Sequence, residues 1–356
     1  MPARSHPLAD LAGLSPAYFG MAMATGIVSI AAHDMGLPRV AGALFRLNLV
    51  VYAVLWVLTL LRLVLHPRAF VADLTDHLRG PGFFTLVAAS AVVGSQFALL
   101  EGGYAVAVAF WTVSVGLWLV LTYAIFAALT VKAHKPTLDR GISGGWLLAV
   151  VATQSIAVLS ALIAAHVQTA HKVELNFLAL SMWLWGGMLY LWTMSLIFYR
   201  YTFFRLSPGD LSPPYWINMG AMAISTLAGA LLIGNAPDAP FLASLLPFLK
   251  GFTVLYWATG TWWIPMLLVL GVWRHGYERF PLAYDPLYWG AVFPLGMYAT
   301  ATAAMAHALA FRFLDFLPPL VLDAALAAWL LCFAGFAVEL VARVRGYAGA
   351  TSTSRG

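Results

Sequence analysis

Long apolar runs alternate with short polar stretches along the whole chain, and five of the runs begin alike. Each opens on a breaking or capping segment, then an aromatic residue, then small and apolar residues. The five starts are Ser15-Pro16-Ala17-Tyr18, Gly80-Pro81-Gly82-Phe83, Ser143-Gly144-Gly145-Trp146, Ser212-Pro213-Pro214-Tyr215 and Asp285-Pro286-Leu287-Tyr288. Successive aromatics lie 65, 63, 69 and 73 residues apart. One membrane-spanning helix takes roughly 20 apolar residues, so each period holds two spans and two loops. The pattern predicts ten spans, near 16–33, 45–65, 82–100, 104–130, 144–165, 175–199, 213–233, 241–272, 287–310 and 316–344. Two crossings per repeat return the chain to its starting side, so the repeats run parallel, unlike inverted-repeat transporters.

The two helices of each repeat differ in bulk. Odd-numbered helices carry Ala22-Met23-Ala24-Thr25-Gly26, Ala88-Ala89-Ser90-Ala91, Ala152-Thr153-Gln154-Ser155, Gly220-Ala221-Met222-Ala223 and Ala299-Thr300-Ala301-Thr302. Even-numbered helices are bulkier, as in Trp183-Leu184-Trp185 and Leu189-Tyr190-Leu191-Trp192. Small residues let helix backbones approach closely. The recurrence in all five odd helices predicts more than tight packing: an all-α multipass membrane protein with ten transmembrane helices as five parallel hairpins around a central pore. Odd helices lie inside and even helices outside. The expected organisation is a short cytoplasmic tail (1–14), a pore domain (15–345) and a second short tail (346–356).

Composition agrees with a membrane protein. The chain is 62% hydrophobic and 9% charged over 356 residues, with mean hydropathy +0.86, whereas soluble domains carry about 25% charged residues. Fourteen of the 19 Lys and Arg fall at the termini or in the loops after even-numbered spans. Cytoplasmic loops carry such an excess, so both termini are expected on the cytoplasmic side of a cell (plasma or inner) membrane. The net charge of +5 is then a topology signal, spread over short loops, and does not point to nucleic acid. The single Cys332 allows no intrachain disulfide.

No Asp, Glu, Lys or Arg occurs in 16–32, 81–99, 144–164, 213–232 or 286–306. Intramembrane charges usually mark coordinating sites and proton relays. Their absence favours a weakly interacting conduit over a tightly coupled carrier, because conduction needs sites shallow enough to leave. Five helix starts at the cytoplasmic mouth each bring about half a positive charge, with Ser15 and Ser212 as expected N-caps. Such a mouth favours anions over cations.

The string Ser15-Pro16-Ala17-Tyr18-Phe19-Gly20-Met21-Ala22-Met23-Ala24-Thr25-Gly26-Ile27-Val28-Ser29 resembles the first-helix signature of the tellurite-resistance/C4-dicarboxylate transporter family. That family includes TehA proteins, plant slow anion channels and fungal malate and sulfite transporters. Trp289-Gly290-Ala291-Val292-Phe293-Pro294-Leu295 is similar to its ninth helix. The resemblance implies a homotrimer with a five-helix pore in each subunit, plugged by a ninth-helix Phe, here Phe293. The tails are short beside those of the plant channels.

Phe293 also stands out by position. Five residues after the repeat aromatics stand Met23, Ala88, Val151, Gly220 and Phe293, so one ring faces a mostly narrow set of pore-lining side chains. Pro294 is expected to kink the helix there. The opposing reading is an ordinary packing aromatic. If the ring faces a pore, Phe293→Ala is expected to disturb folding less than a typical core truncation. Gln96, Gln154 and Asn218 lie in odd helices, as possible anion contacts or as bonds to neighbouring helices. Lys250 and Asp323 are isolated charges near span starts, and His307 is the one His well inside a span. No cofactor, metal or catalytic motif is read. The expected activity is an anion channel or facilitator for small inorganic or organic anions in the lipid bilayer. The alternative is a proton-coupled C4-dicarboxylate (malate-like) or tellurite/sulfite transporter.

Overall fold

In the computed structural model, which describes residues 11–166 and 171–352, all five repeat starts form a 3-10 turn that runs directly into a long helix. The turns are Pro16–Tyr18, Gly80–Phe83, Gly144–Leu147, Pro213–Trp216 and Pro286–Tyr288. Proline suits a first helical turn because its fixed φ is preorganised and its missing N–H is not needed there. Ten long helices follow among the described residues: α1 (Phe19–Asp34), α2 (Pro38–Leu65), α3 (Phe84–Leu100), α4 (Tyr104–Val131), α5 (Leu148–His166), α6 (Lys172–Phe203), α7 (Ile217–Asn235), α8 (Leu246–Val272), α9 (Trp289–Leu309) and α10 (Leu317–Ser352). The tail expected from 346 is helical as far as Ser352, while residues 1–10 and 353–356, with Arg4 and Arg355, lie outside the described residues.

The protein is a multipass membrane protein. Eight of its helical segments are long and apolar enough to cross a bilayer. The other two long helices are α1 and α9. α1 has 16 residues, and α9 is diluted by Gly290, Pro294, Gly296, Thr300 and Thr302.

Burial separates the helices by parity. The most apolar stretch of α5 with its turn is 100% buried, that of α2 only 17%. Each odd helix packs against the even helix that follows it, and the odd helices contact one another in a closed cycle, α1–α3–α5–α7–α9–α1. The five turns make the same cycle.

A polar clasp recurs around this cycle, from each even helix to the next odd one. Tyr52 Oη on α2 lies 2.7 Å from Ser90 Oγ on α3. Trp118 on α4 donates to Thr153 Oγ1 on α5 at 2.8 Å, and Trp183 on α6 to the Ser225 carbonyl on α7 at 2.8 Å. Trp257 on α8 donates to Thr302 Oγ1 on α9 at 3.0 Å. Trp329 on α10 closes the circle by donating to Thr25 Oγ1 on α1 at 3.0 Å. Each clasp satisfies an indole or phenol that hydrocarbon would leave unpaired.

Several loop cations also act as braces. Arg62 Nε donates to the Ala12 carbonyl at 3.1 Å, Lys132 Nζ to Thr75 at 2.7 Å and Arg200 Nε to Asp139 at 2.8 Å. In each case the end of an even helix holds the segment leading into its own repeat. A cation there also complements the helix C-terminus.

Candidate permeation pathway

The site is built by the same stripe of five helices. A cavity of about 120 Å³ lies among the odd helices. It is lined by Ile27, Ile30 and Asp34 of α1, Val92, Ser95 and Leu99 of α3, Ser155, Val158 and Leu162 of α5, Ile224, Leu227 and Leu231 of α7, and Met297, Thr300 and Ala304 of α9. Every repeat contributes the residues 9, 12 and 16 positions after its aromatic, and Ala91 of α3 adds one more. Spacings of three and four residues keep one helix face, so five copies present one face to one space.

A second cavity, of about 560 Å³, opens at the helix starts. Ala17, Gly82, Gly145, Pro214 and Leu287, each immediately before its aromatic, all line it. Arg140, Arg200, Arg205, Asp139 and Asp210 are among the other residues that line it. Side-chain caps hold three of the five starts. Ser15 Oγ accepts from the Ala17 N–H at 3.3 Å, Ser143 Oγ from Gly145 at 3.3 Å and Asp285 Oδ1 from Leu287 at 2.8 Å. Ser212, expected to cap, makes no side-chain cap bond, because Pro213 and Pro214 supply no N–H at the first two positions. Asp285 sets a carboxylate against the positive end of α9 and so offsets part of its dipole.

Between the two cavities the stripe runs through Met23, Ala88, Val151, Gly220 and Phe293. Met23, Ala88, Val151 and Phe293 are all 0% exposed, Gly220 is buried as well, and none of the five borders either cavity. Neither cavity reaches this level. Full burial of Phe293 corrects the expectation of a partly packed ring: its truncation removes core contacts as well. Gly220 has a second task, since a Cβ there would lie 2.7 Å from Pro294 Cγ.

This architecture can be set beside known proteins. The model of the SLAC1 family, voltage-dependent anion channel, matches residues 13–337. The chain belongs to that family. Its relatives include an uncharacterized membrane protein of Mycobacterium tuberculosis, 36% identical over 168 residues, 47% of this chain and 84% of that protein. An uncharacterized transporter of Methanocaldococcus jannaschii is 25% identical over 312 residues, 84% of this chain and 87% of that one. A sulfite efflux pump of Arthroderma benhamiae is 24% identical over 349 residues, 91% of this chain and 90% of the pump. The family's description is that of an anion channel, the archaeal relative is named a transporter and the fungal one an efflux pump, and anion transport is the activity class that these support.

In this SLAC1-family chain the candidate amides sit away from the cavities. Gln96 Oε1 accepts from Asn48 of α2 at 2.7 Å. Gln154 Nε2 donates to the Trp183 carbonyl of α6 at 3.0 Å. Asn218 Nδ2 donates to Tyr201 Oη of α6 at 3.4 Å. All three reach outward to even helices, and none lines either cavity. Lys250 and Asp323 lie on exposed faces.

Other residues carry the lining instead. Ser95 and Ser155 donate their protons to the Ala91 and Val151 carbonyls, at 2.9 and 2.8 Å. The Thr300 hydroxyl, also on the lining, has no partner within the protein. In the wall of the larger cavity, burial raises the Asp210 carboxyl pKa, but Ser207 and Arg200 outweigh it and hold it below the usual carboxylate value. Arg200 Nη2 lies 3.4 Å from Asp210 Oδ1. The lining was readable in principle by extending the repeat alignment beyond the fifth residue.

Proposed function

We propose that the protein is an anion channel or facilitator whose pathway runs along the axis of the five odd helices, with all ten long helices crossing the membrane as five parallel hairpins. The observation that carries this reading is the shared offset: equivalent residues of all five repeats line one cavity, and the residue before each aromatic lines the other. The apolar lining between suits weak binding and fast release. Both termini and the helix starts face the cytoplasm in this reading, which the distribution of Lys and Arg supports. The permeating species is a small anion, a class to which the substrate in the fungal pump's name belongs. Phe293 is the gate, with Pro294 allowing α9 to bend beside it, and the subunit works within a homotrimer.

A proton-coupled carrier is the second reading. It is favoured by one observation, the titratable Asp34 on the lining of the central cavity. Reversal potentials of purified protein in bilayers with asymmetric chloride, nitrate and malate test both. A shift that follows the anion gradient supports the channel. Flux that stops when the proton gradient is collapsed favours the carrier, and selective potassium movement refutes both.

A further inference from the structure

One charge stands on the central cavity. At the offset of 16 residues, α3, α5, α7 and α9 present Leu99, Leu162, Leu231 and Ala304, while α1 presents Asp34. Asp34 is the one ionisable residue on that lining among the described residues. It also borders a recess of about 630 Å³ that it shares with Leu231, Ala304 and His307. Asp34 thus sits where the central cavity meets the mouth opposite the helix starts. Its side chain is 33% exposed, beside His33 Nδ1 at 3.4 Å. Among the described residues, neither space is lined by Lys or Arg.

We propose that Asp34 is a specificity-determining residue: a fixed negative charge at the far mouth that admits monovalent anions and holds back divalent ones. The inference rests on the axial pathway proposed above. A fixed charge changes the energy of a passing ion in proportion to that ion's own charge. Low-dielectric walls focus the field of such a charge along the path. If removing the carboxylate speeds a monoanion by a factor f, it speeds a dianion at the same point by f squared. The other four positions carry aliphatic or methyl side chains and supply no cation, while Arg312 lines an adjoining recess together with Asp315. Small monovalent anions are then the favoured cargo, and fully ionised dicarboxylates are disfavoured.

The test compares chloride and sulfate efflux from proteoliposomes containing wild type or Asp34→Asn, at one mildly alkaline pH. The exposed, isosteric change leaves folding intact, which a melting curve verifies. Sulfate flux is expected to rise by about the square of the chloride factor. A second variant, Asp34→Asn with Ala304→Asp, returns the charge to the same level from α9 and is expected to restore the discrimination. Equal changes for both anions, or no change, in a protein that carries chloride overturn the inference while leaving the pathway standing. Failure of the second variant to restore discrimination also counts against it. A wild type that carries neither anion overturns the pathway reading and this inference with it.

Discussion

Gly220 on α7 and Pro294 on α9 meet so closely that a Cβ on the glycine would lie 2.7 Å from the proline Cγ and 3.2 Å from its Cα. The contact joins two inner helices at the level between the two cavities. Gly220→Ala is therefore expected to push α9 away or strain it, at a cost of about 1–3 kcal/mol. A thermal melt in detergent shows this as a lowered midpoint. An unchanged midpoint with unchanged flux would mean that α9 moves aside freely.

Phe293→Ala is expected to raise anion conductance several-fold if the proposed gate holds, because it removes the one ring from the layer between the cavities and relieves both steric blockage and dewetting. Its 0% exposure adds a stability cost of about 3–5 kcal/mol, that of a core Phe truncation. Conductance per folded molecule separates the two effects. Unchanged conductance per molecule, with the stability loss present, assigns Phe293 to packing alone.

Thr25→Val removes the acceptor of the Trp329 indole, the clasp that closes the helix cycle. Interhelical bonds in membranes average about 0.6 kcal/mol, with a maximum near 1.7, so a modest loss of stability is expected. A double-mutant cycle with Trp329→Phe measures the coupling. Additive effects would remove the clasp from the list of closing interactions.

Asn48→Ala breaks the bond to Gln96 and is expected to lower stability by a similar amount without altering anion selectivity. A changed chloride-to-nitrate ratio would instead put the Gln96 amide in contact with the permeating ion.

The acid sensitivity of the helix-start mouth has a definite sign. Asp210 is held below its ordinary pKa in the folded state by bonds from Ser207 N–H and hydroxyl at 2.9 and 2.7 Å and by Arg200. Its stabilising contribution is present above the unfolded value of about 3.9 and is lost as pH falls through the lower folded value. Asp210→Asn is expected to lower the melting temperature near neutrality and to flatten its fall in acid. Parallel melting profiles for the two proteins would show that Asp210 contributes nothing to that limb.

The sequence alone determined the repeat starts and the apolar runs. Proline, glycine and an aromatic at fixed spacing act on the backbone within a few residues of themselves, and every predicted start is a 3-10 turn in the structure. Hydropathy is local in the same way, so small odd helices and bulky even ones were already legible. Which way each side chain faces was decided by tertiary structure. Gln96, Gln154 and Asn218 each turn one amide atom to a neighbouring helix, toward Asn48, Trp183 and Tyr201, and leave the other amide atom without a partner. Thr25 and Trp329 are 304 residues apart, and no local pattern pairs them. The cavity lining, with Asp34 at its far edge, follows from the helical phase that packing imposes on five helices at once. Local chemistry chooses the elements, and only their mutual packing chooses which face lines the axis.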